Sequence, residues 1–289
     1  MNASKAAVVV LGSLHYDIIV HGPARPRKGE TVTGDDWQPK CGGKGGNQAV
    51  AAAKTGMPAA MIGAVGDDEF GRFLVENLAA IDVDHRFVRV VAGERTGMSV
   101  AIFDNEGDYG AVIVSGSNLA LGLKDVENAK ELFSPGGVLI LQNEVPEVAN
   151  VAAARAMKAL GGQVLLNAAP ARIPSRELVS LVDVIVVNAI EAELLANAPV
   201  IEDLKGALDA ARTLAATYPT AVVTAGGNGV ACVSRYGELA IEAIKVRLVS
   251  THGAGDEFTG VLAAELASGK QIEAALHTAN RAAALLVST

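Results

Sequence analysis

The sequence predicts an α/β fold in three layers, a mostly parallel central sheet between helices, with a small β-sheet lid. Three observations carry this. Short apolar runs at 138–142, 163–167, 184–188 and 221–224 alternate with helical stretches such as 148–160 and 204–218, the pattern of parallel strands joined by crossover helices. Half of the 289 residues are hydrophobic and only 4% aromatic, with Ala, Val and Leu dominant, as suits strands buried between helices. Two segments, about 15–38 and 96–114, do not belong in such a sheet and read as the lid of a single domain spanning 1–289.

In chain order, residues 6–12 read as a buried strand ending in a turn. His15 and Asp17 follow at its carboxyl end, where open α/β sheets bind ligands, and each reads either as a polar strand position or as a ligand contact. Residues 30–34 alternate enough for a short lid strand. Four glycines in the five residues 42–46 then open an alanine-rich helix, so bare backbone meets a helix N-terminus. The loop is neither a Walker A motif nor G-x-G-x-x-G, position 48 being Gln, and Lys44 alone reads as a solvated lysine. A strand at 61–65 leads into a helix whose first acids, Asp67, Asp68 and Glu69, compensate the helix dipole rather than form a metal cluster. Residues 96–114 alternate about Asn105-Glu106-Gly107 as a hairpin.

Near the C-terminus, Ile244, Val246 and Leu248 alternate with Lys245 and Arg247 as in a half-buried strand. Gly253-Ala254-Gly255 follows and opens a helix ended by Gly269, which makes an anion site of its first backbone amides. Asp256, in the first turn of that helix, reads either as a cap or as a general base beside those donors. Asn143 and Glu144, Asn167, Asn188 with Glu191, and Thr224 with Gly226 and Gly227 stand at strand ends, so the polar residues converge on one cleft.

A net charge of −8 and a pI near 5.2 argue against nucleic acid or an anionic membrane as partner. An anionic substrate then needs a local device, for which helix N-termini and a divalent metal serve. Cys41 and Cys232 stand far apart, which suggests neither a zinc site nor a disulfide framework and makes a reducing cytoplasm the simplest setting. The first apolar run is too short for a signal-peptide core, and no stretch approaches membrane-spanning length.

GGKGGNQAVAAAKTG at 42–56 and THGAGDEFTGVLAAELASG at 251–269 resemble, in order, the two signatures of the ribokinase (PfkB) family of carbohydrate kinases. GETVTG at 29–34, VGDDEFG at 65–71 and the N-x-x-E spacing of NAIEAE at 188–193 extend the resemblance almost end to end. It implies a ribokinase-like fold and an ATP-dependent kinase with Mg²⁺. In that resemblance Asp256 matches the base that takes the acceptor proton, and the Gly253, Ala254 and Gly255 amides match the γ-phosphate hole. Asn188 and Glu191 match the motif organising Mg²⁺ and the phosphates, Glu191 toward the metal. Thr224 and Gly226 match ATP contacts, and Asn280 lies beside the adenine pocket. Asp17, Gly43 and Asn47 match sugar-hydroxyl contacts, and Glu144 a polar residue near the acceptor. Residues 15–38 and 96–114 match the lid that closes over the sugar.

Two residues depart from the pattern. His15 stands where ribokinases carry a ribose-binding asparagine, and Ser250 where they carry an aspartate next to the monovalent-cation site. With the sequence ending at Thr289, where the family continues into a glycine-containing loop, K⁺ activation is doubtful. The expectation is a kinase acting on a primary hydroxyl of a pentose-like sugar. The alternatives are a nucleoside kinase of adenosine or pseudouridine type and a non-catalytic nucleotide- or sugar-binding protein. A homodimer through the lid is a further expectation.

Overall fold

The computed structural model describes residues 7–104 and 109–288. In chain order its elements are β1 (Val8–Leu11), β2 (His15–His21), β3 (Asp36–Gly42), α1 (Lys44–Lys54), β4 (Ala59–Gly66), α2 (Glu69–Ala80), β5 (Asp84–Val91), β6 (Met98–Phe103), β7 (Tyr109–Val114), α3 (Leu123–Asn128) and β8 (Val138–Gln142). There follow α4 (Glu147–Ala159), β9 (Gln163–Asn167), α5 (Arg176–Leu181), β10 (Val184–Asn188), α6 (Ala189–Leu195), α7 (Leu204–Ala215), β11 (Thr220–Thr224), β12 (Gly229–Ser234), β13 (Gly237–Glu242), α8 (Ala254–Ala267) and α9 (Ile272–Leu286).

Runs such as VVVL in β1 and VLILQ in β8 offer no polar face to water, so these strands need helices on both sides. They lie in the middle of a nine-stranded sheet of order β13-β12-β11-β10-β9-β8-β1-β4-β5. It is parallel from β5 through β11 and antiparallel at β12 and β13. Alternate strand residues divide between two cores. Val9 and Leu11 join Val126, Ala149, Leu178 and Ala207 of α3, α4, α5 and α7. Val8 and Val10 join Ala49, Leu74, Phe258 and Leu276 of α1, α2, α8 and α9. Three layers result, with the carboxyl ends of the parallel strands left open at one edge.

A separate four-stranded sheet, order β3-β2-β6-β7, stands against that edge. Tyr16 of β2 stacks on Phe70 of α2 with ring centroids 4.1 Å apart and meets Phe73 edge-on at 5.2 Å, fastening this sheet to the body. β6 and β7 pair antiparallel as the hairpin reading requires, and the turn at 105–107 lies outside the described residues.

Two expected strands are absent. Residues 30–34 form no ladder; the strand of that segment is β3, which pairs with β2 and places Gly42 opposite His15, past residue 38. Residues 244–248 form no strand either: Leu248 is 61% exposed, and the chain runs on to hydrogen-bond Val249 and Ser250 amides to the Val287 carbonyl, 2.8 and 3.3 Å. The alternation there belongs to a segment that pairs with no strand among the described residues. Among the described residues no helix is long and apolar enough to cross a membrane.

Candidate active site

The site begins with two helices drawn close together. A Cβ added to Gly260 of α8 would lie 2.5 Å from the Gln48 carbonyl of α1, so only glycine permits this approach. The contact sets Asp256, in the first turn of α8, against Asn47 and Gln48. Asn47 Nδ2 donates to Asp256 Oδ2 and Gln48 Nε2 to Oδ1, each at 2.9 Å. α8 has no side-chain cap. Both oxygens of Asp256 therefore serve α1 instead of the amides of their own helix, and the capping alternative falls. Burial pushes the Asp256 carboxyl above the usual carboxylate range, opposed by the Lys44 charge and the two amide hydrogen bonds.

A cavity of about 740 Å³ opens in front of this carboxylate. On the small-sheet side it is lined by His15, Asp17, Ser99, Phe103 and Ile113, and at the mouth of α1 by Gly43, Lys44 and Asn47. Ser99 Oγ donates to Asp17 Oδ1 at 2.6 Å, and His252 Nε2 stands 4.0 Å from Asp17 Oδ2. Burial raises the Asp17 carboxyl and lowers His252 from their ordinary values. Glu144, following β8, accepts from Ser13 Oγ and, at 3.1 Å, from the Lys44 amide. His15 Nδ1 lies 4.0 Å from the same Glu144 oxygen, and burial lowers the His15 pKa from its ordinary value, opposed by the Glu144 and Asp17 charges. The His15 Nε2 atom is buried with no hydrogen-bond partner.

At the other end the cavity is lined by Asn188, Glu191 and Thr224, at the ends of β10 and β11, and by Gly253 and Gly255 at the mouth of α8. Asn188 caps α6 by accepting from the Glu191 amide at 2.9 Å, while a Glu191 oxygen accepts from the Asn188 amide at 2.8 Å. This reciprocal box fixes both side chains. Burial raises the Glu191 carboxyl, so the bare charge is disfavoured there.

Ala254, Gly226 and Asn280 are not among the cavity-lining residues. Gly226 lies in the turn two residues beyond Thr224, and Asn280 donates to the Glu242 carbonyl at 3.0 Å, opposite Gly229 in the β12–β13 ladder. Both belong to the corner beside Thr224. Gln48, Ser99 and His252, which line or support the site, were not singled out by the sequence, and Lys44 read as solvated. Gln48 and Lys44 carried a signal in their place beside Asn47 in the first glycine loop, and His252 in its place before Gly253 in the second; Ser99 carried none.

The pfkB family carbohydrate kinase pattern matches residues 5–289. The chain belongs to that family. This kinase is 35% identical to the ribokinase of Bacillus subtilis (strain 168) over 281 residues, 97% of this chain and 92% of that one. It is 33% identical to the ribokinase of Haemophilus influenzae over 285 residues, 98% and 93% of the two chains. The structure of Arabidopsis thaliana ribokinase complexed with ribose and ATP superposes with a TM-score of 0.88 at 30% identity, covering 99% of this chain and 94% of that one. A Burkholderia thailandensis nucleoside kinase in complex with inosine, 20% identical over 98% of this chain and 91% of that one, with a TM-score of 0.77, shares the fold. The kinase is thus ribokinase-like in architecture, a mostly parallel central sheet with a small separate one.

Proposed function

We propose that this carbohydrate kinase transfers the γ-phosphate of ATP to a hydroxyl of a pentose-like sugar, with Asp256 as general base. The observation that carries the reading is the Asp256 carboxylate, released from capping and held by Asn47 and Gln48 at the junction of the two ends of one cavity. Phosphoryl transfer asks little covalent chemistry of a protein; it asks for alignment, charge stabilisation and exclusion of water.

On the acceptor side Asp17, Gly43, Asn47, Glu144 and His15 meet the sugar. Asp17 and Glu144 accept from its hydroxyls, and His15 takes the place of the family's asparagine. On the donor side the Gly253, Ala254 and Gly255 amides, at the positive end of α8, receive the γ-phosphate charge. Asn188 and Thr224 meet the phosphates, and Gly226 and Asn280 the nucleoside end beyond the Thr224 corner. The small sheet acts as a lid that keeps water, the competing acceptor, from the phosphate.

Glu191 fits Mg²⁺. It is the carboxylate at the Asn188–Thr224 end of the cavity, oriented by Asn188, and Mg²⁺ is usually held by one or two carboxylates together with substrate phosphates. When bound, the ion neutralises phosphate charge and reverses the cost that burial places on ionised Glu191. Dimerisation uses the far face of the small sheet. Asp17, Ser99, Ala101 and Ile113 face the cavity, so Ile18, Val100 and Val112, in register across β2, β6 and β7, face away beside exposed Trp37. The free cysteines Cys41 and Cys232 suit a reducing cytoplasm.

A nucleoside acceptor is the second reading, favoured by the wall of Phe103, Ala111 and Ile113, which offers a base an apolar surface. The deciding experiment is ADP release from Mg-ATP over D-ribose, 2-deoxy-D-ribose, hexoses and nucleosides. Turnover is expected on a free pentose; turnover on nucleosides alone would replace the first reading by the second. ATP binding with no turnover on any would favour a non-catalytic binder.

A further inference from the structure

Behind the carboxylate lies a line of amides that no packing requirement explains. Gln48, Gln142 and Asn150 are wholly buried, and Asn167 nearly so. Gln48 Nε2 gives one hydrogen to Asp256 Oδ1 at 2.9 Å and the other to Asn167 Oδ1 at 3.0 Å. Its own Oε1 accepts from Gln142 Nε2 at 2.8 Å. Gln142 is held in turn through its backbone carbonyl, which accepts from Asn150 Nδ2 of α4 at 2.7 Å, while Asn167 Nδ2 donates to the Val186 carbonyl at 3.2 Å.

The directions of these bonds determine one another. Flipping the Gln48 amide would turn its carbonyl on a carboxylate and on a second carbonyl, and its NH₂ on the NH₂ of Gln142. Gln142 reaches Gln48 only because position 12 is glycine: a Cβ there would fall 1.9 Å from Gln142 Oε1. That oxygen and Asn150 Oδ1 are buried with no partner. A core built for packing alone would fill this space with apolar side chains, since unpaired buried amide atoms are costly.

We propose that Gln48 is the positioning residue of the phosphoryl-transfer base: oriented by Gln142 and Asn167, its amide fixes the Asp256 carboxylate in rotamer and favours its ionised form. The inference rests on the reading of Asp256 as the base. The charged groups that face Asp256 are Lys44 from α1, Glu144 after β8, Glu191 on α6 and His252 ahead of α8. None of them is altered by changing Gln48.

The test uses the full chain with Gln48→Met, close in volume and without donors, and with Gln142→Met, which leaves Asp256 its donor but removes one of the bonds that orient the Gln48 amide. A carbon-13 NMR titration follows the Asp256 carboxyl, assigned by its loss in Asp256→Asn, and needs no acceptor. Removing a donor to the charged form raises its pKa, by roughly one unit in Gln48→Met and less in Gln142→Met. With Mg-ATP and D-ribose, kcat falls roughly 10- to 100-fold with both KM values little changed, and the acid limb of the pH profile moves up with the titration. An unmoved titration in a folded Gln48→Met would overturn the inference; should that variant fail to fold, an unmoved titration in Gln142→Met would do so. Turnover surviving in Asp256→Asn would instead overturn the reading of the base.

Discussion

The floor of the cavity and the small sheet above it hold their polar groups differently. On the floor, Asp256 takes two amide hydrogen bonds, Glu191 is locked in a reciprocal box with Asn188, and Glu144 accepts from a hydroxyl and a backbone amide. Each group is fixed by others that are themselves fixed. On the small sheet, Asp17 has the Ser99 hydroxyl at 2.6 Å and otherwise faces His252 at 4.0 Å, and the sheet's far side carries Trp37 at 61% and Val112 at 69% exposure. A change on the floor leaves several buried groups unpaired, whereas a change on the small sheet touches one contact. In the function proposed above, the floor carries the reaction and the small sheet meets the acceptor.

This contrast can be broken at the sheet. Asp17→Ala is expected to raise the KM for D-ribose roughly 10- to 100-fold, the usual worth of a hydrogen bond to a buried charge, with the KM for ATP within about twofold. An unchanged acceptor KM would remove Asp17 from the sugar site and the division of labour with it. A smaller effect on turnover is expected on the far face. Val112→Lys should convert a dimer to a monomer, read by light scattering, while kcat changes no more than severalfold. A wild-type monomer, or a variant that remains dimeric, would show that this face is not the interface.

Much of the central sheet was legible because a strand buried on both sides must be apolar along its length, as β1 is throughout and β8 and β10 are up to their last residues, Gln142 and Asn188. β3 was not, because DWQPKCG is mostly exposed and is held in place by its ladder with β2, which no periodicity records. The reverse error occurred at 244–248, where alternation is present and a partner strand is absent. In the site, the residues on the two glycine loops and at the strand ends could be picked out, because small residues and caps have local signatures. Whether Asp256 caps its helix could not be, since the answer lies with amides 208 and 209 residues earlier in the chain. The Gln48–Gln142–Asn167 line was hidden for the same reason: side chains joined across 94 and 119 residues leave no spacing to read.

The most direct test of the account is Asp256→Asn, assayed for ADP release with Mg-ATP and D-ribose and, by calorimetry, for ATP binding. Asn keeps the shape but cannot take the acceptor proton, so turnover should fall on the order of 10²- to 10⁴-fold with ATP affinity nearly intact. Turnover close to wild type, or loss of ATP binding together with turnover, would contradict the assignment of Asp256 as the base.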